Sequence, residues 1–361
     1  MGCLPSSNAV DADYKRVSVE IDNMIKKSRK ELKTVVKCLL LGPGESGKST
    51  VVKQLRLAYS RPYSREERER FKEVVFTNTL QSMQAALFGF DAVGVSFPES
   101  RKTMAAFILS LSMDDAVDST TSDFNPSVAK AIEALWAEPS TKEVVAQSSK
   151  FQLNDSATYF FDALPRTSQP DYLPIDSDIL RTRIRSTGIV EEVFNLDQTR
   201  MVVVDVGGQR SERKKWIHCF ESVHLLLFVA AISEYDQYLF EEETQLRMTE
   251  TLMLWENIST SPWFRKTAFV LFLNKIDLLK EKILADPDSV QHFLPEYTGS
   301  PTDVDSVKMY LLSRFKALHR MQERVLFVHF TCATDTTAIR PILSAVMQAV
   351  VTASLTHLGI L

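Results

Sequence analysis

Residues 42–49 read Gly42-Pro43-Gly44-Glu45-Ser46-Gly47-Lys48-Ser49, and the flanks of this octet decide the fold. Upstream lies the apolar run Val35-Val36-Lys37-Cys38-Leu39-Leu40-Leu41, which reads as a buried parallel strand. Downstream, Thr50-Val51-Val52-Lys53-Gln54-Leu55-Arg56 reads as a helix. Strand, glycine loop, Lys-Ser and helix together make a phosphate site. The glycines let successive N–H groups point inward at phosphate oxygens, and the helix start adds its positive dipole end. Lys48 is placed to reach β- and γ-phosphates, and the Ser49 hydroxyl to ligate Mg²⁺. A chance glycine turn would lack these flanks.

The chain has 361 residues, 45% hydrophobic and 24% charged, enough for two cores. Lys and Arg total 42 against 46 Asp and Glu, a formal net charge of −4. That balance gives no reason to expect nucleic-acid binding. Cysteines at 3, 38, 219 and 332 form no C-x-x-C pair. This points to a reducing compartment rather than a disulfide frame or zinc site. The longest apolar stretch, Leu225 to Ile232, is too short to cross a bilayer, and no secretory signal peptide is expected. The start does suggest a membrane surface. Met1-Gly2-Cys3-Leu4-Pro5-Ser6 fits a myristoylation pattern at Gly2, with Cys3 available for a palmitoyl chain. Two acyl chains anchor stably where one binds only marginally. From Asp11 to Thr34, Tyr14, Val17, Ile21, Met24, Ile25 and Leu32 make a thin apolar stripe opposite a Lys/Arg-rich face. That predicts a surface helix lying against a partner or anionic lipid.

Beyond the phosphate loop, residues 60–178 carry helical periodicity, broken by expected loops at Gly89–Pro98, Asp114–Pro126 and Pro165–Pro174. Strands are predicted at Val190–Asn195, Met201–Val206, Leu225–Ala231, Ala268–Leu273 and Val325–Phe330. Helices are predicted at Phe240–Trp255, Val304–Leu318 and Ile339–Leu355. Such alternation gives an α/β fold, a mostly parallel sheet with helices on both faces, interrupted by an inserted all-helical domain.

Four further motifs accompany the loop. Asp205-Val206-Gly207-Gly208-Gln209 ends a strand. Asp205 can hold Mg²⁺ through water, a glycine N–H can touch a γ-phosphate, and Gln209 is placed to orient a water. Asn274-Lys275-Ile276-Asp277 ends another strand. The Asp277 carboxylate can accept from guanine N1–H and the 2-amino group, a donor pair that adenine lacks. Asn274 would brace the loop, and the Lys275 stem would cover the base. Thr331-Cys332-Ala333-Thr334 follows the last strand, where a small residue lets its N–H approach guanine O6. Leu180-Arg181-Thr182-Arg183 lies where the insert rejoins the sheet, and an arginine there could stabilise transition-state charge.

These stretches resemble the α subunits of heterotrimeric G proteins: Gly42–Thr50, Leu180–Val190, the long switch-like run Val202–Phe220, Phe269–Asp277 and His329–Thr336. The resemblance implies a Ras-like GTPase domain from residues 35–60 and 183–361, an inserted helical domain over 61–182 and a lipidated helix over 1–34. By the same resemblance Arg183 is a built-in arginine finger and Gln209 positions the attacking water. Mg²⁺ would be held by Ser49, Ser186 and Asp205. Nucleotide contacts would come from Gly42, Glu45, Ser46, Gly47, Lys48, Ser49 and Thr50, then Asp155, Ser156, Leu180, Arg181 and Gly208. Asn274, Lys275, Asp277, Cys332, Ala333 and Thr334 would complete them. Asp155 would reach across to Lys275, and Arg210, Glu212, Arg213 and Trp216 would form a second switch. The implied ligands are GDP and GTP. The implied partners are a βγ dimer, a seven-transmembrane receptor, an effector and a GTPase-activating protein of the RGS type, at the cytoplasmic face of the plasma membrane. A metabolic kinase or a non-hydrolysing scaffold fits less well, because the guanine motifs, Arg183 and Gln209 occur together.

Two departures stand out. Pro43 replaces a small residue and removes one N–H, with nucleotide binding expected to survive. Ser186 replaces a threonine, keeping the hydroxyl but losing the stiffening methyl. The divergent residues 60–149 and the Leu358-Gly359-Ile360-Leu361 ending suggest a lineage apart from the common animal classes.

Overall fold

The computed structural model describes residues 35–196, 199–239, 241, 242, 244–320 and 326–357. Gly2, Cys3, the N-terminal helix and the last four residues lie outside the described residues.

Among these, six strands form one sheet in the order β2-β3-β1-β4-β5-β6. The strands are β1 (Val35–Leu41), β2 (Ile189–Leu196), β3 (Thr199–Val206), β4 (Leu225–Ala231), β5 (Ala268–Asn274) and β6 (Leu326–Thr331). Only the β2–β3 pairing is antiparallel; the other four are parallel. The pleat sends alternate residues to opposite faces. Leu39, Leu226, Phe228 and Leu271 enter one core with Trp255, Ile283 and Phe315. Cys38, Leu40, Leu227 and Phe272 enter the other with Val51, Leu55 and Leu343. Strands buried on both faces must be apolar throughout, which is why they read as continuous runs rather than alternating ones.

Helices α1 (Lys48–Tyr59) and α13 (Thr336–His357) cover one face. On the other lie α9 (Arg247–Ser259), α10 (Ile276–Ala285), α11 (Asp288–Phe293) and α12 (Val304–Leu318). Between α1 and β2 in sequence come helices and turns with one isolated bridge, Val117 to Phe124: α2 (Arg65–Val93), α3 (Lys102–Ser110), α4 (Pro126–Trp136), α5 (Pro139–Ala146), α6 (Ala157–Asp162), α7 (Leu164–Thr167) and α8 (Asp176–Arg181). Helices α2 to α7 share a separate core that includes Phe76, Leu80, Met83, Ile132, Leu135 and Phe160.

Several boundaries differ from the sequence reading: strand ends shift by a residue or two, and the loop expected at Pro165–Pro174 overlaps α7 (Leu164–Thr167). The expected loop at Gly89–Pro98 is helical to Val93, and α2 ends at Gly94 with φ 78°. Gly89 instead gives the Phe151 ring close access to the helix, since a Cβ there would lie 2.6 Å from that ring. The helix expected over Phe240–Trp255 begins at Arg247. Ahead of it, Arg247 N–H donates to Gln237 O at 2.8 Å and Leu239 N–H to Gln245 O at 2.9 Å.

The insert is tied at its exit by Asp178, fully buried. It accepts from Arg166 at 2.7 and 2.9 Å, Tyr159 at 2.6 Å, Tyr172 at 2.8 Å and the Ile175 N–H at 2.9 Å. Asp178→Ala would strand all these donors. It is expected to lower stability by about 3 kcal/mol in urea unfolding, near the low end for breaking a buried pair because Arg166 reaches solvent.

Candidate functional site

The sheet topology gathers the motifs. The loops after β1, β3, β4, β5 and β6 all open at the carboxyl ends of the strands, where α/β sheets place their ligands. There, between the sheet and the helical insert, lies a cleft of about 800 Å³. It is lined by Glu45, Gly47, Lys48, Ser49 and Thr50, by Asp155, Ser156, Leu180, Arg181 and Arg183, and by Ser186, Asp205, Gly208 and Gln209. Asn274, Lys275, Asp277, Cys332, Ala333 and Thr334 close its other side. Of the residues expected there, Gly42 and Ser46 lie behind the lining. Gly42 has φ 144°, and a Cβ would fall 2.2 Å from Val229 O, so only glycine fits that turn. Ser46 is buried and donates to Pro43 O at 3.1 Å.

Helix α1 starts at Gly47 in the left-handed region with no side-chain cap. Its first-turn N–H groups are therefore available to an anion. Lys48 is buried and folds back on the loop, donating to Gly42 O at 3.1 Å and Pro43 O at 2.7 Å. Burial pulls its ammonium down to about 8, with Asp205 offsetting part of that cost. Next to it three oxygens converge. Ser49 Oγ donates to Asp205 Oδ2 at 2.8 Å and lies 2.8 Å from Ser186 Oγ. Among the described residues Asp205 Oδ1 is buried without a hydrogen-bond partner, and desolvation raises that carboxyl above its usual range. Two hydroxyls and an under-satisfied carboxylate suit a small hard cation such as Mg²⁺, which takes few protein ligands and completes its shell with water and substrate phosphate. Among the described residues no group of three or more His, Cys, Asp or Glu could hold a metal.

The base end is braced by Asn274, which donates to Ser46 O at 2.9 Å and accepts from Thr331 Oγ1 and Ala333 N–H, both at 3.0 Å. One buried amide thus joins the phosphate loop, β5 and the loop after β6. In the loop where a small residue is expected to let its N–H approach guanine O6, the Ala333 N–H is given to Asn274, because a buried amide oxygen must find donors. Lys275 has φ 62° and pairs at 2.7 Å with both Asp155 and Glu234. Burial opposes its charge, but these two carboxylates outweigh it and hold the ammonium above its ordinary pKa.

Arg183 enters the cleft from the chain joining α8 to β2 and is ion-paired with Glu45. Glu45, with φ 65°, also binds Arg247 at 3.0 Å. Burial would raise the Glu45 carboxyl, yet Arg247 and Arg183 hold it below the usual range. The segment after Gln209 is docked on α9. Arg210 contacts Glu250 at 2.8 and 3.1 Å, Arg213 contacts Glu250 at 2.5 Å, and Trp216 donates to Gly207 O at 2.8 Å. Hydrogen bonds from Arg210, aided by Arg213 against partial burial, bring Glu250 down to about 2.

Sequence reasoning missed Lys53, Asn78, Glu234 and Arg247. Glu234 follows a strand whose carboxyl end faces the cleft, a position that could have been flagged. Arg247 and Asn78 carry no local signal.

A model of the G-protein α subunit matches residues 15–350. The chain is 44% identical to the G-protein complex alpha subunit gpaA of Aspergillus fumigatus. It is 43% identical to the guanine nucleotide-binding protein alpha-1 subunit of Neurospora crassa. It is 42% identical to the protein of that name in Mycosarcoma maydis. Each match spans all of both chains. No helix among the described residues is long and apolar enough to cross a membrane.

Proposed function

The chain belongs to the G-protein α-subunit family, whose members are GTPases, and on that premise we propose that this cleft is a GTP-operated switch linking seven-transmembrane receptors to effectors. The observation that carries the reading is the gathering of the phosphate loop, the Ser49–Ser186–Asp205 oxygens and the Asn274–Asp277 motif around one cleft.

GTP would lay its phosphates over the amides at the start of α1 and its guanine towards Asp277. Lys48 would leave the carbonyls of Gly42 and Pro43 for the β- and γ-phosphate oxygens. Ser49, Ser186 and Asp205 would hold Mg²⁺, which when bound neutralises phosphate charge. Gln209 orients a water whose oxygen bonds to the γ-phosphorus as the bond to the β–γ bridging oxygen breaks, giving GDP and phosphate. Arg183 exchanges Glu45 for the charge that builds on the phosphates. With an arginine supplied in cis, turnover on the order of 10⁻² s⁻¹ is the rate established for this class of GTPase, not one obtained from the distances above.

The Gly208 N–H would sense the γ-phosphate and hold residues 208–219 against Glu250; hydrolysis would release them. Residues 35–60 and 183–361 would act as the GTPase domain and 61–182 as the insert that covers the nucleotide. A βγ dimer would take the GDP form, and an effector and an RGS-type activating protein the GTP form. Acylation at Gly2 and Cys3 would keep the chain at the cytoplasmic face of the plasma membrane.

The test loads the full chain with GDP or a non-hydrolysable GTP analogue and reads tryptophan fluorescence and trypsin cleavage near Arg210–Lys215. The analogue is expected to raise fluorescence and protect the segment. Identical behaviour in the two states would remove the switch.

A further inference from the structure

Arg183 sits in a stretch, residues 182–187, with no regular secondary structure, so its peptide groups have no ladder to join. They are nonetheless paired. The Arg183 N–H donates to Asn78 Oδ1 at 2.7 Å, and Asn78 Nδ2 donates to Arg183 O at 3.1 Å. One amide side chain thus engages both peptide groups of one residue, as a neighbouring strand would. Asn78 lies in the interior of the long helix α2 and is only 4% exposed. The adjacent residue is fixed from the opposite side. Lys53 on α1 donates to Thr182 O at 2.9 Å, Thr182 Oγ1 at 2.8 Å and Ile179 O at 2.8 Å. The backbone on which the Arg183 side chain is mounted is therefore clamped between the insert and the phosphate-loop helix.

We propose that Asn78 is a positioning residue for GTP hydrolysis: by gripping the Arg183 peptide it fixes where the guanidinium meets the phosphates. The inference rests on the reading of Arg183 given above. Asn78 touches no substrate and acts only through Arg183. An arginine whose base can shift must find its transition-state contact from a wider range of positions. Misplacement of about 1 Å can cost on the order of a hundredfold in rate.

The test is a double-mutant cycle on the full chain: wild type, Asn78→Ala, Arg183→Ala and the double variant. Each is preloaded with GTP and followed through a single turnover, with GTP affinity and thermal melting measured in parallel. Asn78→Asp, close in shape, repeats the cycle in case Asn78→Ala does not fold. It keeps the acceptor for Arg183 N–H and, when ionised, loses the donor to Arg183 O.

Asn78→Ala is expected to hydrolyse GTP about ten- to a hundredfold more slowly with affinity changed less than a few-fold. The double variant is expected to be no slower than Arg183→Ala alone. A wild-type rate in Asn78→Ala would overturn the proposal. So would a deficit that persists in full on the Arg183→Ala background, because Asn78 would then act through the structure at large. If Arg183→Ala itself ran at the wild-type rate, the assignment of Arg183 would fall first, an outcome visible in a different arm.

Discussion

Arg183→Ala is expected to slow single-turnover hydrolysis of bound GTP by about 10³-fold, a magnitude established for arginine fingers in this class of GTPase rather than obtained from the geometry here. The geometry gives the direction and the selectivity. The side chain is 47% exposed, reaches into the cleft and, among the described residues, has one ion-pair partner, Glu45. It can leave that carboxylate without stranding it, because Glu45 keeps Arg247 at 3.0 Å. Removing Arg183 should therefore spare the phosphate loop and leave GTP affinity within a few-fold of wild type. Rates from preloaded protein and affinities from a fluorescent nucleotide would separate the two effects. Loss of affinity with an unchanged rate would mean that Arg183 is part of the binding wall and not of the chemistry.

Gly208→Ala is expected to abolish the fluorescence difference between the GDP and GTP-analogue states while leaving the GDP form folded. A Cβ at 208 would lie 2.3 Å from Lys48 Nζ, 2.5 Å from Pro43 O and 2.6 Å from Pro43 C. The lysine tip could swing away, but it is the group assigned to the phosphates. The proline carbonyl is backbone and cannot yield cheaply. Residues 207–209 would have to retreat, carrying with them the Arg213 contact to Gly208 O at 3.2 Å. The segment could then fold without closing on the loop. Fluorescence titration with the analogue, beside a melting curve of the GDP form, would decide. A full response in Gly208→Ala would mean that close approach of the two loops is not what transmits the γ-phosphate.

Much of this architecture was legible in the chain. The run Val35–Leu41 and the octet after it lie together in sequence, and their preferences are local: apolar residues for a doubly covered strand, glycines for a loop of inward amides. The same holds for the strand ending in Asn274 and for the helical rhythm of the insert. What failed to show was of another kind. Gly89 looked like a loop residue because glycine usually breaks helices, yet the Phe151 ring needed the space. Arg247 lies in a stretch read only as helix, yet it pairs with Glu45 of the phosphate loop, far upstream. The buried Asn274 oxygen takes the Ala333 amide, from a loop far away in sequence.

The sequence by itself determined the elements, their alternation and the contiguous motifs, because bonds between neighbours set backbone preference and short-range spacing sets which face is apolar. Only the tertiary structure decided which distant side chains meet: Asn78 with the peptide of Arg183, Glu45 between Arg183 and Arg247, Lys275 between Asp155 and Glu234. Such pairings depend on how whole helices and strands settle against one another. That is a property of the summed packing, and no stretch of the chain carries it alone.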